Sequence, residues 1–312
     1  MSYLGQLKAA KTPKDLAAIL GFTPSGLTYV LHKMPAAAKY TDFEIPKRGG
    51  GMRKIRAPAP QLHHLQSRLA NVLYGCIEEL EKGNTGRRSL AHGFERNRSI
   101  MTNASVHKRR RYVLNLDLED FFPSINFGRV RGFFIKDKHF ALSEAVATAI
   151  AQIACHENEL PQGSPSSPVV SNLIGHLLDT RLARFAKKHK CTYSRYADDI
   201  TFSTNKKDFP AELAARVPGM ASQWELGAPL ADKIANAGFH ENKKKTRMQC
   251  RGSRQVVTGL MVNEKVNIRQ EYYRTTRMMC HELFKQGTCY RMVPASLAGG
   301  APKHHHRNPK VV

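Results

Sequence analysis

The 312-residue sequence lacks the features that would place a protein in a membrane or hold it together with disulfides. Its six cysteines are scattered and never form a C-x-x-C pair, which argues against a zinc ribbon or a disulfide framework. No apolar run approaches the roughly 20 residues that a bilayer span needs, and no apolar segment near Met1 resembles a signal peptide. We therefore expect a soluble protein of a reducing cytoplasm, without a membrane partner.

Acidic residues are also scarce. The sequence has 25 Asp and Glu against 49 Lys and Arg, a net charge of +24. An excess of this size indicates a polyanionic partner, most simply nucleic acid; an anionic membrane surface is the competing interpretation. Basic runs at 107–111, 187–190 and 243–247 are suited to a channel that holds a duplex through its phosphates. For the run at 187–190, solvated lysines at a helix end are an equal alternative.

The first part of the sequence predicts short helices, a hairpin and a longer helix. Thr12 as a cap, Pro13 in the first turn and Gly21 as a stop define one helix, and a second short helix follows. The pair fits either a DNA-binding helix-turn-helix or a packing unit, which base rates favour. Alternation from Tyr40 onward, interrupted by glycines, predicts a hairpin, and apolar spacing predicts a helix over about 62–83.

The remaining patterns alternate between helices and strands. They predict a buried strand at Tyr112–Leu116 and a long amphipathic helix with Pro168 in its first turn. The other predicted segments are a helical stretch at about 128–155, a hairpin around 198–199, a helical segment at about 211–237, a basic strand–turn region at 238–250 and a basic helix near 270–285. The last residues, rich in Pro, Gly, His and Lys, predict a disordered tail.

Two places in the sequence put carboxylates where strands are expected. Asp117 ends "YVLNLD", and Asp198 and Asp199 stand together in "SRYADDITFS". A carboxylate in such a position must be paired or bind a cation, and no internal cation is obvious from the sequence. If neighbouring strands bring all three together, these oxygen ligands fit Mg²⁺, and two such ions serve in-line nucleotidyl transfer. The simpler alternative is a helix cap at one site and an ordinary turn at the other.

Six ordered motifs resemble those of bacterial retron-type reverse transcriptases. "LNLDLEDFFPSI", "LPQGSPSSPVVSNL" and "YADD" are similar to motifs A, B and C of a reverse transcriptase palm. "NASVH", from Asn103 to His107, and "VTG", at Val257–Gly259, are similar to the two signatures of the retron enzymes, and a basic motif D lies between "YADD" and "VTG". The resemblance covers about residues 25–285.

The resemblance implies a set of catalytic and metal-binding residues. Asp117, Asp198 and Asp199 would bind two Mg²⁺ ions, and the backbone carbonyl of Leu118 would help to bind the nucleotide's metal. We expect the two neighbouring aspartates to be unequal. Asp198 should be the closer ligand, and Asp199 should face the primer.

The resemblance also implies contacts to the dNTP substrate, at Arg53, Phe122, Gln162, Gly163 and Lys245. Arg53 would grip the triphosphate, since a guanidinium forks onto phosphate oxygens. Phe122 would block a ribose 2′-hydroxyl, although it could be a core residue like its neighbour Phe121. Lys245, one of three candidate lysines, would protonate the leaving pyrophosphate, although a solvated basic turn is the alternative.

Both signatures have a functional and a structural interpretation. By resemblance, Asn103 and His107 help to recognise structured RNA, and Thr258 and Gly259 contact the primer near its terminus. Asn103 and His107 are four residues apart, as on one face of a helix, so they could equally fix that helix to the palm. Gly259 could simply permit a tight turn.

The fold implied is α+β, a right-hand polymerase with an antiparallel palm sheet, basic fingers and a short helical thumb. The expected divisions are an N-terminal helical segment (1–40), fingers (41–116), a palm (117–262, with a finger-derived helical insertion at about 128–160), a reduced thumb (263–290) and a disordered basic tail (291–312). Retron thumbs usually continue further, so this thumb is either minimal or completed by a partner.

The function implied is that of a retron RNA-directed DNA polymerase. It would copy a cognate structured non-coding RNA from a guanosine 2′-hydroxyl, giving a branched RNA–cDNA product (msDNA), and act beside an accessory effector protein in defence against phage. Two rivals remain at this stage. One is another reverse transcriptase class, such as a group II intron or diversity-generating enzyme, and the other is a non-catalytic nucleic-acid-binding scaffold.

Overall fold

The computed structural model describes residues 2–47, 50–83, 89–217, 219–220 and 223–286. The chain forms two compact units, of which the first ends at Asn267 and the second begins at Ile268. In the second unit one helix, α11 (Gln270–Gln286), is described.

The described part of the first unit mixes helices and antiparallel strands. Its helices are α1 (Tyr3–Ala9), α2 (Pro13–Leu20), α3 (Pro24–Thr28), α4 (Ala36–Lys39), α5 (Pro60–Lys82), α6 (Ile100–Ser105), α7 (Phe127–Lys136), α8 (Glu144–Ala154), α9 (Ser167–Lys188) and α10 (Ala228–Ala235), with a π-helical turn at Tyr29–Lys33. Its strands are β1 (Tyr40–Pro46), β2 (Met52–Pro58), β3 (Tyr112–Glu119), β4 (Thr192–Tyr196), β5 (Asp199–Thr204), β6 (Ala214–Arg216), β7 (Trp224–Leu226), β8 (His240–Glu241), β9 (Arg247–Cys250), β10 (Val256–Val257) and β11 (Leu260–Met261).

A five-stranded antiparallel sheet lies at the centre of this unit. Its order is β4-β5-β3, and both β8 and β9 pair with the far side of β3. Because side chains alternate along a strand, each face has its own set of residues. Leu114 and Leu116 of β3, with Phe202 of β5, belong to the main hydrophobic core, whereas Val113 packs in a separate small cluster on the other face.

Three helices cover the core-facing side of the sheet. α5 packs against α8 and α9, and α9 also packs against β4. Leu65, Leu69 and Leu73 of α5 are completely buried at helical spacing, as the sequence predicts. Burial of each leucine side chain contributes about 1.5–3 kcal/mol, so this layer holds the sheet in place.

The N-terminal helices follow their sequence signals. Thr12 and Asp15 form a capping box at the start of α2, and Gly21 ends the helix with a left-handed φ of 73°. Leu16 and Leu20 are completely buried, and α2 packs against α5 and α8. These contacts agree with the packing-unit interpretation of the helix pair.

The predicted helical segment at about 211–237 is wrong in its first half. Strands β6 and β7 pair there as a hairpin, and among the described residues of this segment only α10 is helical. The reason lies at Gly227, where a Cβ would come within 2.4 Å of the Ala211 carbonyl oxygen. Glycine permits the segment before β6 and the segment after β7 to come this close, and Pro229 then lies in the first turn of α10.

Two other sequence predictions need smaller changes. The strand predicted at Tyr112–Leu116 continues to Glu119, so Asp117 lies inside β3. The helical stretch at about 128–155 consists of the two helices α7 and α8. The tail predicted at 291–312 lies outside the described residues. None of the helices described is long and apolar enough to cross a membrane.

Neighbouring leucines on α9 offer a direct test of this packing. Leu178 is completely buried, whereas Leu177 is 57% exposed. We expect Leu178→Ala to lower the free energy of unfolding by about 2–5 kcal/mol, because it leaves a cavity in the core. Leu177→Ala should change it by less than about 0.5 kcal/mol. Urea denaturation of both variants measures the difference; equal effects would contradict the burial described here.

Candidate active site

Two paired strands bring the three aspartates together. The register of β3 and β5 places Asp117 opposite Asp199, and Asp198 lies in the turn between β4 and β5. The backbone N–H of Leu118 donates to the Asp198 carbonyl (3.0 Å), so the turn is bonded to β3. Asp117 is only 6% exposed, Asp198 is half-buried and Asp199 is exposed. The register therefore pairs Asp117 with Asp199 and not with Asp198.

The carboxylates perturb one another electrostatically. Burial and then the charge of Asp117 raise the pKa of Asp198. The pKa of Asp199 is raised to about 6, first by the protein around its carboxyl group, which removes part of its hydration, and then by Asp198 and Asp117. Both shifts have the sign expected for like charges held close together. The cluster therefore favours any positive charge that can approach it.

Lys245 supplies such a charge. Its Nζ donates to both carboxylate oxygens of Asp117, at 2.9 Å each. Burial alone would lower the pKa of Lys245, but the hydrogen bond to Asp117 and the three nearby carboxylates outweigh this effect and raise it. The sequence shows no obvious internal cation for the aspartates, and the structure identifies one in Lys245.

The donor chemistry fits a hard divalent cation. The aspartates offer only oxygen ligands, which Mg²⁺ prefers, and the bidentate grip of Asp117 on an ammonium shows that its oxygens are directed toward a cation. In the part of the chain that the structure describes, no group of three or more His, Cys, Asp or Glu residues is placed so that it could hold a metal ion, and Asp117 binds the Lys245 ammonium instead. A cation would therefore compete with Lys245 for Asp117.

A cleft of about 160 Å³ lies where the β1–β2 hairpin meets the loop before α9. Arg53 and Gln162 line it, together with Asp120. The Gln162 carbonyl accepts a hydrogen bond from the Arg56 backbone N–H (2.8 Å), which ties the loop to β2. Gly163 has a φ of 118°, and a Cβ there would come within 2.8 Å of the Arg56 carbonyl oxygen, so only glycine fits.

The basic residues of β2 have different partners. Lys54 pairs with Asp42 (2.7 Å), and the buried Arg56 pairs with Glu157 (2.6 Å). No carboxylate among the described residues forms an ion pair with Arg53. Of these three basic side chains of β2, Arg53 is thus the one that can bind an anion in the cleft.

Phe122 packs against the edge of the main hydrophobic core. Its neighbour Phe121 is 3% exposed and stacks on Phe239, so Phe121 is a core residue. Phe122 is half-buried and contacts the ring of Phe94, with centroids 6.0 Å apart. None of the sequence motifs includes Phe94, and the one feature near it that could have marked a functional position is the preceding glycine.

Known proteins resemble the chain in both sequence and fold. Residues 45–267 match the family described as reverse transcriptase (RNA-dependent DNA polymerase). The Retron Ec86 reverse transcriptase of Escherichia coli is 33% identical over 79% of this chain and 70% of its own length. The chain belongs to the retron-type reverse transcriptases.

Two further comparisons define the extent of the likeness. The Retron Mx65 and Mx162 reverse transcriptases of Myxococcus xanthus are each 35% identical, over 87% and 80% of this chain. The chain spans 63% and 52% of their respective lengths. An apo telomerase structure from Candida tropicalis shares the fold, with a TM-score of 0.50 at 15% identity, over 77% of this chain and 50% of that one.

In this chain the N-A-x-x-H residues lie in the interior. Asn103, in α6, and His107, just beyond it, are both completely buried. The His107 ring bonds to the hydroxyls of Ser203 and Ser194, each at 2.7 Å, and so joins β5 to β4. Burial lowers the pKa of His107 to about 3, which keeps the ring neutral. Neither side chain is presented at the surface.

The second signature, V-T-G, packs against the first. Thr258 and Gly259 form the two-residue loop between β10 and β11, with φ of 46° and 84°. The Thr258 hydroxyl donates to the Ile100 carbonyl of α6 (3.3 Å). Ala104 of α6 shares a buried cluster with Val257 and with Val113 of β3. The two signatures are therefore one unit on the face of the sheet that carries Asp117.

The neutral His107 predicts a pH-dependent stability. Its folded pKa of about 3 is below the ordinary 6.5, so the unfolded chain binds the extra proton first. The stability that the neutral His107 gives the folded protein is fully present above pH 6.5 and is lost as the pH falls toward 3. His107→Ala should be destabilised at pH 7 by about 2 kcal/mol or more, since it leaves a cavity and two hydroxyls without their partner.

Denaturation of both proteins between pH 7 and pH 4 measures this effect. The difference between wild type and His107→Ala should shrink as the pH falls. His63→Ala provides the control at pH 7, because His63 is exposed on α5 and its removal leaves no cavity in the core. A constant difference between wild type and His107→Ala would show that His107 titrates normally.

Proposed function

We propose that this protein is the RNA-directed DNA polymerase of a retron. The observation that carries the proposal is the register of Asp117 against Asp199, with Asp198 in the adjoining turn and Lys245 bonded to Asp117. Such a cluster binds hard cations, and the membership in the retron-type reverse transcriptases gives it a reaction.

Two Mg²⁺ ions would be held by the carboxylates of Asp117, Asp198 and Asp199 and by the Leu118 carbonyl. When bound, the metal pair supplies charge neutralisation at the attacking 3′-oxygen and at the leaving pyrophosphate. Lys245, once released from Asp117, has an ammonium group in position to give a proton to the pyrophosphate. Its hydrogen bond to Asp117 supports this choice among the three lysines of the run.

The cleft beside the aspartates would hold the incoming dNTP. Arg53 would bind the triphosphate, and its positive charge already acts on Asp198, whose pKa it lowers against the larger effect of burial. Gln162 and Gly163 would form the floor of the site, since their loop is bonded to β2. Phe122 would exclude a 2′-hydroxyl, with Phe94 supporting its ring.

The template would be a cognate structured RNA, and the primer the 2′-hydroxyl of a guanosine in that RNA, as the resemblance of the sequence motifs to those of retron enzymes implies. The product would be branched RNA–cDNA, and an effector protein acting with it would serve defence against phage. The Thr258–Gly259 loop would approach the primer, since it lies on the same face of the sheet as Asp117. Asn103 and His107 would act through that loop, because both are buried beneath it.

Removal of either metal-binding carboxylate should abolish DNA synthesis. We expect Asp117→Asn and Asp198→Asn each to lower primer extension by about 1,000-fold or more, because cation binding loses a charged ligand. RNA binding, which depends on the basic surface, should change little. Primer extension and a filter-binding assay on the same preparations measure the two properties, and the exposed Asp208 supplies the control variant Asp208→Asn.

The product of the wild-type protein tests the retron assignment itself. Co-purified cDNA should be joined to RNA by a 2′,5′ branch at a guanosine and should be absent from the Asp117→Asn preparation. Normal extension by Asp117→Asn would overturn the site, whereas unbranched cDNA from the wild type would overturn only the priming reaction.

A further inference from the structure

A buried salt bridge lies directly behind the catalytic turn. Arg195, the last but one residue of β4, donates from Nε and Nη2 to the two carboxylate oxygens of Asp179 on α9, at 2.6 and 2.7 Å. Both side chains are essentially without solvent exposure, at 0% and 1%. The Tyr193 hydroxyl also donates to Asp179 (2.6 Å). This ion pair is on the core side of the sheet, opposite to the face of Asp117 and Asp199.

The third nitrogen of the same guanidinium reaches the turn. Arg195 Nη1 donates to the carbonyl oxygen of Ala197 (2.9 Å), which belongs to the peptide that leads into Asp198. Ala197 has a left-handed φ of 56°, a conformation that costs a non-glycine residue about 1 kcal/mol. The next carbonyl, of Asp198, accepts from the Leu118 N–H. The peptides on both sides of Asp198 are therefore hydrogen-bonded, the preceding one to Arg195 and the following one to β3.

Further contacts fix the position of the guanidinium relative to the turn. Asn172 of α9 accepts from Arg195 Nη1 (3.3 Å) and donates to the Gly93 carbonyl (2.8 Å). Gly93 lies against the turn, and a Cβ there would come within 2.5 Å of the Ala197 nitrogen. Gly175 leaves room for the guanidinium, since its Cβ would be 2.9 Å from Nη2. Two glycines thus permit the close approach that the contact requires.

Stability alone does not account for this arrangement. Desolvation of two charges offsets most of their attraction, and a buried ion pair can often be replaced by apolar residues without loss of stability. An apolar side chain at position 195 could fill the space but could not donate to Ala197. What the guanidinium adds is a fork that binds Asp179 and the turn at the same time.

We propose that Arg195 is a positioning residue that orients the Ala197–Asp198 peptide, and through it sets the Asp198 carboxylate for divalent cation binding. Asp179 and Asn172 hold the guanidinium in place. The inference rests on the proposed function for the identity of the cations as Mg²⁺, but it is tested by cation binding as well as by DNA synthesis.

The decisive variant removes both charges together. Arg195→Met combined with Asp179→Leu leaves no unpaired ion in the core, and its main cost is the Tyr193 hydroxyl that loses its acceptor, so the melting temperature should fall by no more than about 8 °C. The affinity of the RNA-free protein for Mn²⁺, measured by electron paramagnetic resonance, should nevertheless fall about tenfold or more. Primer extension at saturating Mg²⁺ should fall by about 100-fold, as for a misplaced catalytic group.

Two other variants make the outcome unambiguous. Arg195→Lys keeps a charge beside Asp179 but lacks the guanidinium that bonds Asp179 and Ala197 together, so it should also lose Mn²⁺ affinity. This variant replaces the double variant in the test if the double variant does not fold. Tyr193→Phe removes a bond to Asp179 without touching the turn and should bind Mn²⁺ like wild type. Wild-type Mn²⁺ affinity in a folded double variant or in Arg195→Lys would overturn the proposal. Failure of the wild type itself to make DNA would count against the proposed function and leave the Mn²⁺ comparison intact.

Discussion

Three carboxylates on two paired strands and the adjoining turn repel one another, and the site depends on a positive charge that offsets this repulsion. Asp117 and Asp199 are opposite each other in the register of β3 and β5, and Asp198 adjoins them in the turn. Their mutual charge raises the pKa values of Asp198 and Asp199. Lys245 supplies a neutralising charge through its two hydrogen bonds to Asp117.

Contacts on both faces of the central sheet hold the strands that carry this cluster. On the core side, leucines of β3 fix the strands to the helices, and Arg195 of β4, bound by Asp179 of α9, donates to the Ala197 carbonyl of the turn. On the open side, His107 joins β4 to β5, and the β10–β11 loop packs over Val113. The aspartates are therefore set on strands that are held from both faces, which is how rigid elements position catalytic groups.

Local signals in the sequence predicted much of the fold and the nature of the site. The capping box at Thr12, the proline in the first turn of α9 and the hairpin around Asp198 all depend on neighbouring residues. Contacts between distant residues were not predictable in this way. Lys245 is 128 residues from Asp117, and the spacing of Asn103 and His107 suggested one helix face, whereas α6 ends before His107. The hairpin of β6 and β7 was missed because its decisive feature, the packing of Gly227 on Ala211, is tertiary.

The central claim is that Lys245 and a divalent cation compete for the same carboxylate. Calorimetric titration of the RNA-free protein with Mn²⁺ tests it most directly, with Lys245→Met compared with wild type and with Lys244→Met, which removes an equal charge from an exposed neighbouring position. Lys245→Met should bind Mn²⁺ about tenfold more tightly than wild type, since an internal competitor is gone, and Lys244→Met should differ little. Equal or weaker binding by Lys245→Met would contradict the account.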